Sequence, residues 1–139
     1  MDTTTVSEER VEAARALVES YVEAWKNTDA DLLRNHLDKD FVLHYFGNNP
    51  FTGSHEGKHA AIKTMATIAG ITPRKLVAFD SILFGEDAAA IVVREELQTK
   101  RGSIQIRRVF RYRIEDDKFK ECWLYEEDQD VVDEAWSLE

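Results

Sequence analysis

Only one cysteine, Cys122, occurs among the 139 residues. A disulfide within the chain is therefore excluded, and a lone thiol fits a reducing compartment. No apolar run approaches the length needed to span a bilayer, and the opening MDTTTVSEER has no basic region followed by an apolar one. These absences lead to the expectation of a cytoplasmic protein with no membrane partner. Basic charge is in deficit: 18 lysines and arginines face 27 acids, a formal net charge of −9. Such a chain repels phosphate backbones, which argues against a nucleic-acid partner. The acids gather in SEERVE and EEDQDVVDE near the two ends and read as solvated faces. No HExxH or CxxC spacing is present, and the two histidines of HEGKH fall across an expected turn, so no metal site is expected. A phosphate-binding glycine loop and a nucleophile elbow are missing as well. No cofactor is implied.

The chain is long enough for one domain over residues 1–139 that buries a core of its own. Val11, Ala14, Val18, Tyr21 and Trp25 recur at spacings of three and four, with Leu17 and Val22 widening the stripe. This pattern predicts an amphipathic helix over about residues 6–26, with Thr5 and Glu8 at capping-box spacing. NTDAD interrupts it, and Thr28 is a candidate cap for a short second helix carrying Leu32, Leu33 and Leu37. DFVLHYF predicts a strand, GNNP a tight turn and FTGSHEG a short returning strand. Helical period resumes from Lys58 through Ile62, Met65, Ala66 and Ala69, with Gly70 as the stop and Pro73 beyond it. RKLVAFDSILF, AAAIVVREELQT, SIQIRRVFRYRI and KFKECWLYE then read as four long antiparallel strands joined by GED, KRG and EDD. A last short helix is expected in DVVDEAWS. Helices before a meander predict an α+β fold: three N-terminal helices on a curved, mainly antiparallel sheet, a cone enclosing a pocket.

Residues 44–57, HYFGNNPFTGSHEG, hold three of the six glycines, one of the two prolines and two of the four histidines. Such a stretch is either a surface turn or the wall of a binding pocket. Alternation along the expected strands puts Val42, His44 and Phe46 on one face, Ala90, Val92, Arg94 and Glu96 on one face, and Ile104, Ile106, Arg108, Phe110 and Tyr112 on one face. Each of these apolar faces carries one or two ionisable groups, which must meet partners or line a wet cavity. Arg94, Glu96 and Arg108 are thus either a structural ion network or contacts to a polar ligand group. His44 is either a satisfied core histidine or a base. Tyr21 reads as a buried tyrosine whose hydroxyl finds a partner. Trp25, Phe46, Phe51 and Phe110 are core, and cavity lining if a cavity exists; His55 reads as a turn residue within reach of the pocket mouth. His36 and His59 read as surface or packing residues, and Cys122 as inert.

YVEAWKNTDADLLRNHLDKDFVLHYFGNNPFTGSHEG, VFRYRIEDDKFKECWLYEED and DQDVVDEAW together resemble the nuclear transport factor two-like superfamily, within it the SnoaL-like polyketide cyclases and the ketosteroid isomerases. The resemblance covers nearly the whole chain and implies the cone fold with a small-molecule pocket. Against the isomerases, Tyr21 matches a tyrosine that donates to the developing oxyanion. His44 falls where those enzymes carry an aspartate base, and Arg108 where they carry a protonated aspartate. Limonene-type epoxide hydrolases offer a second comparison, with Arg94 and Glu96 at the spacing of their arginine and acid and Asn48 resembling a water-positioning asparagine. Their other acid falls on Leu124, so Glu126, two residues on and on the same face, is its only substitute. The expected function is cofactor-independent proton transfer on an apolar cyclic or polyketide-like carbonyl compound. His44 is the expected base; Tyr21 and Arg108 or Arg94 stabilise the oxyanion, and Glu96 completes the catalytic set. Trp25, Phe46, Asn48, Phe51, His55, Phe110 and Tyr112 are the expected substrate contacts. The alternatives are an epoxide hydrolase using Arg94 and Glu96, and a non-catalytic ligand-binding or dimerisation module. The other sheet face, expected to carry Ile91, Val93, Leu97, Val109, Trp123 and Tyr125, is apolar enough to predict a homodimer.

Overall fold

A computed structural model describes residues 7–137. The chain runs α1 (Glu8–Lys26), α2 (Ala30–Asn35), β1 (Leu37–Tyr45), β2 (Gly53–Glu56), α3 (Lys58–Ile71), β3 (Arg74–Phe84), β4 (Ala88–Thr99), β5 (Gly102–Glu115), β6 (Lys118–Glu126) and α4 (Gln129–Ala135). Among the described residues no helix is long and apolar enough to cross a membrane.

Local chemistry sets the helix ends. Ser7 caps α1 by accepting the Arg10 N–H, and Glu8 and Glu9 sit at the positive end of its dipole. The expected cap Thr5 lies outside the described residues. Asp29, not Thr28, caps α2: its carboxylate accepts the Leu32 N–H, while Thr28 has φ 50° and donates its hydroxyl to the Asn27 carbonyl. Leu37 does not extend that helix but opens β1. Gly70 does not stop α3, which continues to Ile71, where Thr72 donates both its N–H and its hydroxyl to the Ile68 carbonyl. The helix buries Ala61 and Ile68, while Ala66 and Ala69 are exposed.

Six strands form one sheet in the order β2-β1-β6-β5-β4-β3. Every pairing is antiparallel except β1 with β6, which is parallel. Register shifts break the ladders between Leu37 and Val42, along β3 and between Arg113 and Ile114, and such bulges bend strands. The expected α+β cone is therefore present as a curved sheet that stays open, with β2 and β3 at its edges. Val18 and Tyr21 of α1, Ala61 and Ile68 of α3 and Val132 of α4 enter one core with the inner side chains of the strands.

Those inner side chains are Phe41, Leu43 and Tyr45 on β1; Ala89, Ile91, Val93, Glu95 and Leu97 on β4; Ile106, Arg108 and Tyr112 on β5; and Cys122 and Leu124 on β6. The expected phase holds for β5 and is reversed for β1 and β4. His44 belongs to the outer row, paired across the sheet with Ser54, Trp123 and, beyond it, Arg111. Ile91, Val93 and Leu97, expected outside, are fully buried. The outer face instead carries Val92, Val109, Trp123 and Tyr125 among Arg94, Arg107, Arg111 and Arg113.

GNNP is a longer excursion than a tight turn, and it is tied to α4. Asp133 accepts the Asn48 N–H (2.9 Å), the Asn49 side-chain amide (2.8 Å) and the Gln129 side-chain amide (2.9 Å). Gly47, at φ +100°, lies so close that a Cβ would come within 2.3 Å of the Gln129 amide nitrogen. These bonds hold the Asp133 carboxyl below its usual range against the opposing effect of burial. A lowered carboxyl contributes stability above its unfolded pKa and loses it as pH falls through the folded one. Asp133→Ala should therefore cost about 1 kcal/mol at neutral pH, with the deficit shrinking in acid; urea melts at neutral and acidic pH measure this.

Candidate functional site

Between the helices and the concave sheet face lies a cavity of about 220 Å³. Its walls are aromatic and aliphatic: Tyr21 and Trp25 from α1, Leu33 from α2, Met65 and Ile68 from α3, Phe110 and Tyr112 from β5. Trp25 meets Tyr21, Phe79 and Phe110 edge-on with ring centroids 6.0, 5.3 and 5.0 Å apart, geometries that fix its indole. Four charged side chains interrupt this apolar lining: Arg34, Arg74, Glu95 and Arg108.

Strand pairing explains the charged cluster. Arg108 on β5 stands opposite Glu126 on β6 and, on its other side, opposite Val93. Glu95 is two residues along β4 from Val93, hence a diagonal neighbour on the same face. The Arg108 Nε donates to both Glu126 oxygens (2.9 and 3.1 Å) and its Nη2 to Glu126 Oε2 (2.7 Å). Nη1 donates to Glu95 Oε1 at 2.8 Å. The three side chains are buried, Arg108 at 1% exposure, Glu95 at 5% and Glu126 at 2%. Burial disfavours the guanidinium charge, but Glu126 and Glu95 outweigh it and hold Arg108 firmly protonated. One guanidinium does not fully offset two buried carboxylates. Burial, with the like charge of Glu95, raises the Glu126 carboxyl above the ordinary glutamate range despite Arg108.

Two further groups complete the lining. The Tyr21 and Tyr112 hydroxyls are 2.9 Å apart, and burial raises both phenols so that they keep their protons. Tyr45 is buried and raised in the same way, against the pull of Arg108 and Arg74. Its hydroxyl makes no hydrogen bond among the described residues.

Of the residues expected at the site, Tyr21, Trp25, Arg108, Phe110 and Tyr112 do line the cavity. His44 does not. It lies on the outer face, its Nδ1 2.7 Å from Ser54 Oγ, its Nε2 2.5 Å from Glu121 Oε2, and its ring stacked on Trp123 at 5.3 Å. There it ties β2, β1 and β6 together. Arg94 is also outside, paired with Asp80, and Glu96 accepts a hydrogen bond from Gln98. Phe46 is 41% exposed and stacks on Tyr125. Asn48 gives its backbone N–H to Asp133. Phe51 packs edge-on against Trp136, and His55 sits behind Tyr45, bonded to the Phe51 carbonyl and Thr64. The reason is the same for His44, Arg94 and Glu96: both phases of β1 and β4 are apolar, so alternation does not choose between them. Glu95, Tyr45 and Arg74 were missed. The bulkier phase of β4, Ile91, Val93 and Leu97, is the signal that would have placed Glu95 inside. Glu126, the substitute acid of the hydrolase comparison, is on the inner face with Arg108.

Arg108→Met removes the shared cation and leaves two buried carboxylates without a partner. Such a loss should cost about 3–5 kcal/mol at neutral pH. Without Arg108 the Glu126 carboxyl, already raised by burial, loses the cation that lowers it, so stability is regained as pH falls and it takes up a proton. Chemical denaturation of both proteins across the acidic range checks the size and the sign.

The SnoaL-like domain profile matches residues 18–122. A comparison with curated proteins finds no match. Among solved structures, a protein of unknown function with a cystatin-like fold from Xanthomonas campestris superposes with a TM-score of 0.80 at 24% identity, covering 88% of this chain and 96% of its own. An NTF2-like protein from Burkholderia xenovorans LB400 gives 0.75 at 15% identity, covering 91% and 98%. TerC, co-crystallised with polyporic acid, gives 0.73 at 14% identity, covering 91% and 96%. At these identities the structures share the fold alone. With a family match over most of its length and this architecture around a cavity, the chain has an NTF2-like fold and belongs to the SnoaL-like domain family.

Proposed function

We propose that this SnoaL-like domain is a cofactor-independent enzyme of isomerase or cyclase type, moving protons on an apolar cyclic or polyketide-like carbonyl compound. One observation carries the reading: a buried carboxylate and a pair of protonated phenols line the same apolar cavity. Glu95 gives only Oε1 to Arg108, so its other oxygen is free to accept a proton from the substrate. When Tyr112 donates its hydroxyl to Tyr21, the Tyr21 O–H remains to meet a developing oxyanion. The aromatic walls hold the ring and keep water out. TerC, a neighbour of this fold, was co-crystallised with polyporic acid, in keeping with an organic ligand for the cavity here.

A second reading is supported by Glu95, Arg108 and Glu126 as acid, guanidinium and acid in one cluster. That is the arrangement sought in the epoxide-hydrolase comparison, now on residues other than Arg94 and Glu96. A bicyclic ketone, 2-tetralone, and indene oxide separate the two. In D₂O, proton NMR should show enzyme-dependent exchange of the tetralone α-protons, abolished in Glu95→Gln and slowed about ten- to a thousandfold in Tyr21→Phe. Exchange unaltered by Glu95→Gln would contradict the base. Hydrolysis of indene oxide without ketone exchange would favour the hydrolase, and binding without either reaction the non-catalytic module.

We also propose a homodimer through the outer sheet face. Phe46 and Tyr125 form an exposed stack beside Trp123 and Val109, and Asp80 with Arg94 and Arg107 supplies charges of both signs around it. Light scattering should give twice the chain mass, falling to a monomer in Tyr125→Glu; a wild-type monomer at micromolar concentration would contradict it. A cytoplasmic location rests on the sequence features set out above.

A further inference from the structure

We infer that the ligand of this cavity is an organic anion, its ring body among the aromatic walls and its acidic group on Arg74. The inference rests on the small-molecule reading of the cavity and adds the charge of the molecule that enters it.

Arg74 lines the cavity at the start of β3. Only its Nη2 is used, donating to the Thr72 carbonyl and hydroxyl at 3.2 and 2.9 Å, both neutral acceptors. Its Nε is buried with no hydrogen-bond partner, and Nη1 makes no hydrogen bond among the described residues. Nor does any described carboxylate lie within 4.0 Å of the guanidinium, whereas Arg108 is fully engaged by two. A largely buried arginine without a carboxylate is costly. Burial, followed by the repulsion of Arg108, lowers the Arg74 pKa. A ligand carboxylate or acidic enol removes that cost through the paired N–H geometry guanidinium offers. The Tyr45 hydroxyl, free of hydrogen bonds and close enough to feel the Arg74 charge, supplies another donor there.

Charge around the entrance points the same way. Arg34, exposed at the rim, makes no ion pair among the described residues and belongs both to the cavity and to an adjoining surface groove. That groove carries Lys39, Lys58 and Lys63, also without a carboxylate partner within 4.0 Å among the described residues. Around the cavity, Arg34, Arg74 and Arg108 face Glu95 and Glu126, leaving one positive charge in excess in a chain of net charge −9. A basic entrance on an acidic protein selects and steers anions.

The test compares naphthalene-2-carboxylate with naphthalene-2-carboxamide, which share ring and size and differ in charge, by isothermal titration calorimetry. The carboxylate should bind about ten- to a hundredfold more tightly, as one charge-assisted hydrogen-bonded contact provides. Arg74→Gln should erase that preference, lowering carboxylate affinity to that of the carboxamide, and Arg74→Lys should retain part of it. Circular dichroism confirms that the variants fold. In Lys58→Gln/Lys63→Gln the preference should persist while association, followed by stopped-flow fluorescence, slows and becomes less salt-dependent. Equal affinities in the wild type, or a preference that survives Arg74→Gln, would overturn the inference and leave the cavity reading standing. Failure of both compounds to bind would overturn the two together.

Discussion

Two carboxylates and one guanidinium share a buried corner of the sheet, and the inner wall of the cavity depends on how that imbalance is resolved. Arg108 meets Glu126 with the Nε and Nη2 edge of its guanidinium and Glu95 with Nη1. Trp136 and Phe110 cover the guanidinium at 5.4 and 5.6 Å, a low-dielectric setting that strengthens each pairing and raises the cost of any missing partner. Burial and the like charge of Glu95 raise the Glu126 carboxyl against the pull of Arg108, while Glu95 keeps one oxygen free of the guanidinium.

The rest of the fold serves to keep this corner dry and in register. The antiparallel ladders of β4, β5 and β6 set Glu95, Arg108 and Glu126 on adjacent strands. The curved sheet brings Tyr21 of α1 to the Tyr112 hydroxyl, and α4 lays Trp136 across Tyr45 at 5.2 Å. Even the 47–52 loop contributes, since Asp133 fastens it to α4 and so holds Phe51 against Trp136.

Helices were legible in the sequence because the first has a clean period of three and four, and the four long strands because β-branched and aromatic runs alternate with short polar loops. Ends were less legible: neighbouring Thr28 and Asp29 can both cap, and only the backbone geometry decides between them. The site divides by strand. On β5 the inner phase of isoleucine, phenylalanine and tyrosine contrasts with arginines outside, so Arg108 was placed correctly. On β1 the two phases are Phe41, Leu43, Tyr45 and Val42, His44, Phe46, equally apolar, because the outer row is itself half-covered by aromatic stacking. The one-residue change of phase exchanges His44 for Tyr45 and Arg94 for Glu95. Arg74 opens a strand, where alternation has not begun to inform.

The most direct measurement is a carbon-13 NMR titration of the glutamate side-chain carboxyls in the intact domain. Glu126 should titrate above the ordinary glutamate range in the wild type and higher still in Arg108→Met, separated from the exposed acids. If Glu126 instead titrates with the surface glutamates and does not respond to the loss of Arg108, the three groups are not the buried, mutually dependent cluster that holds Glu95 at the cavity wall.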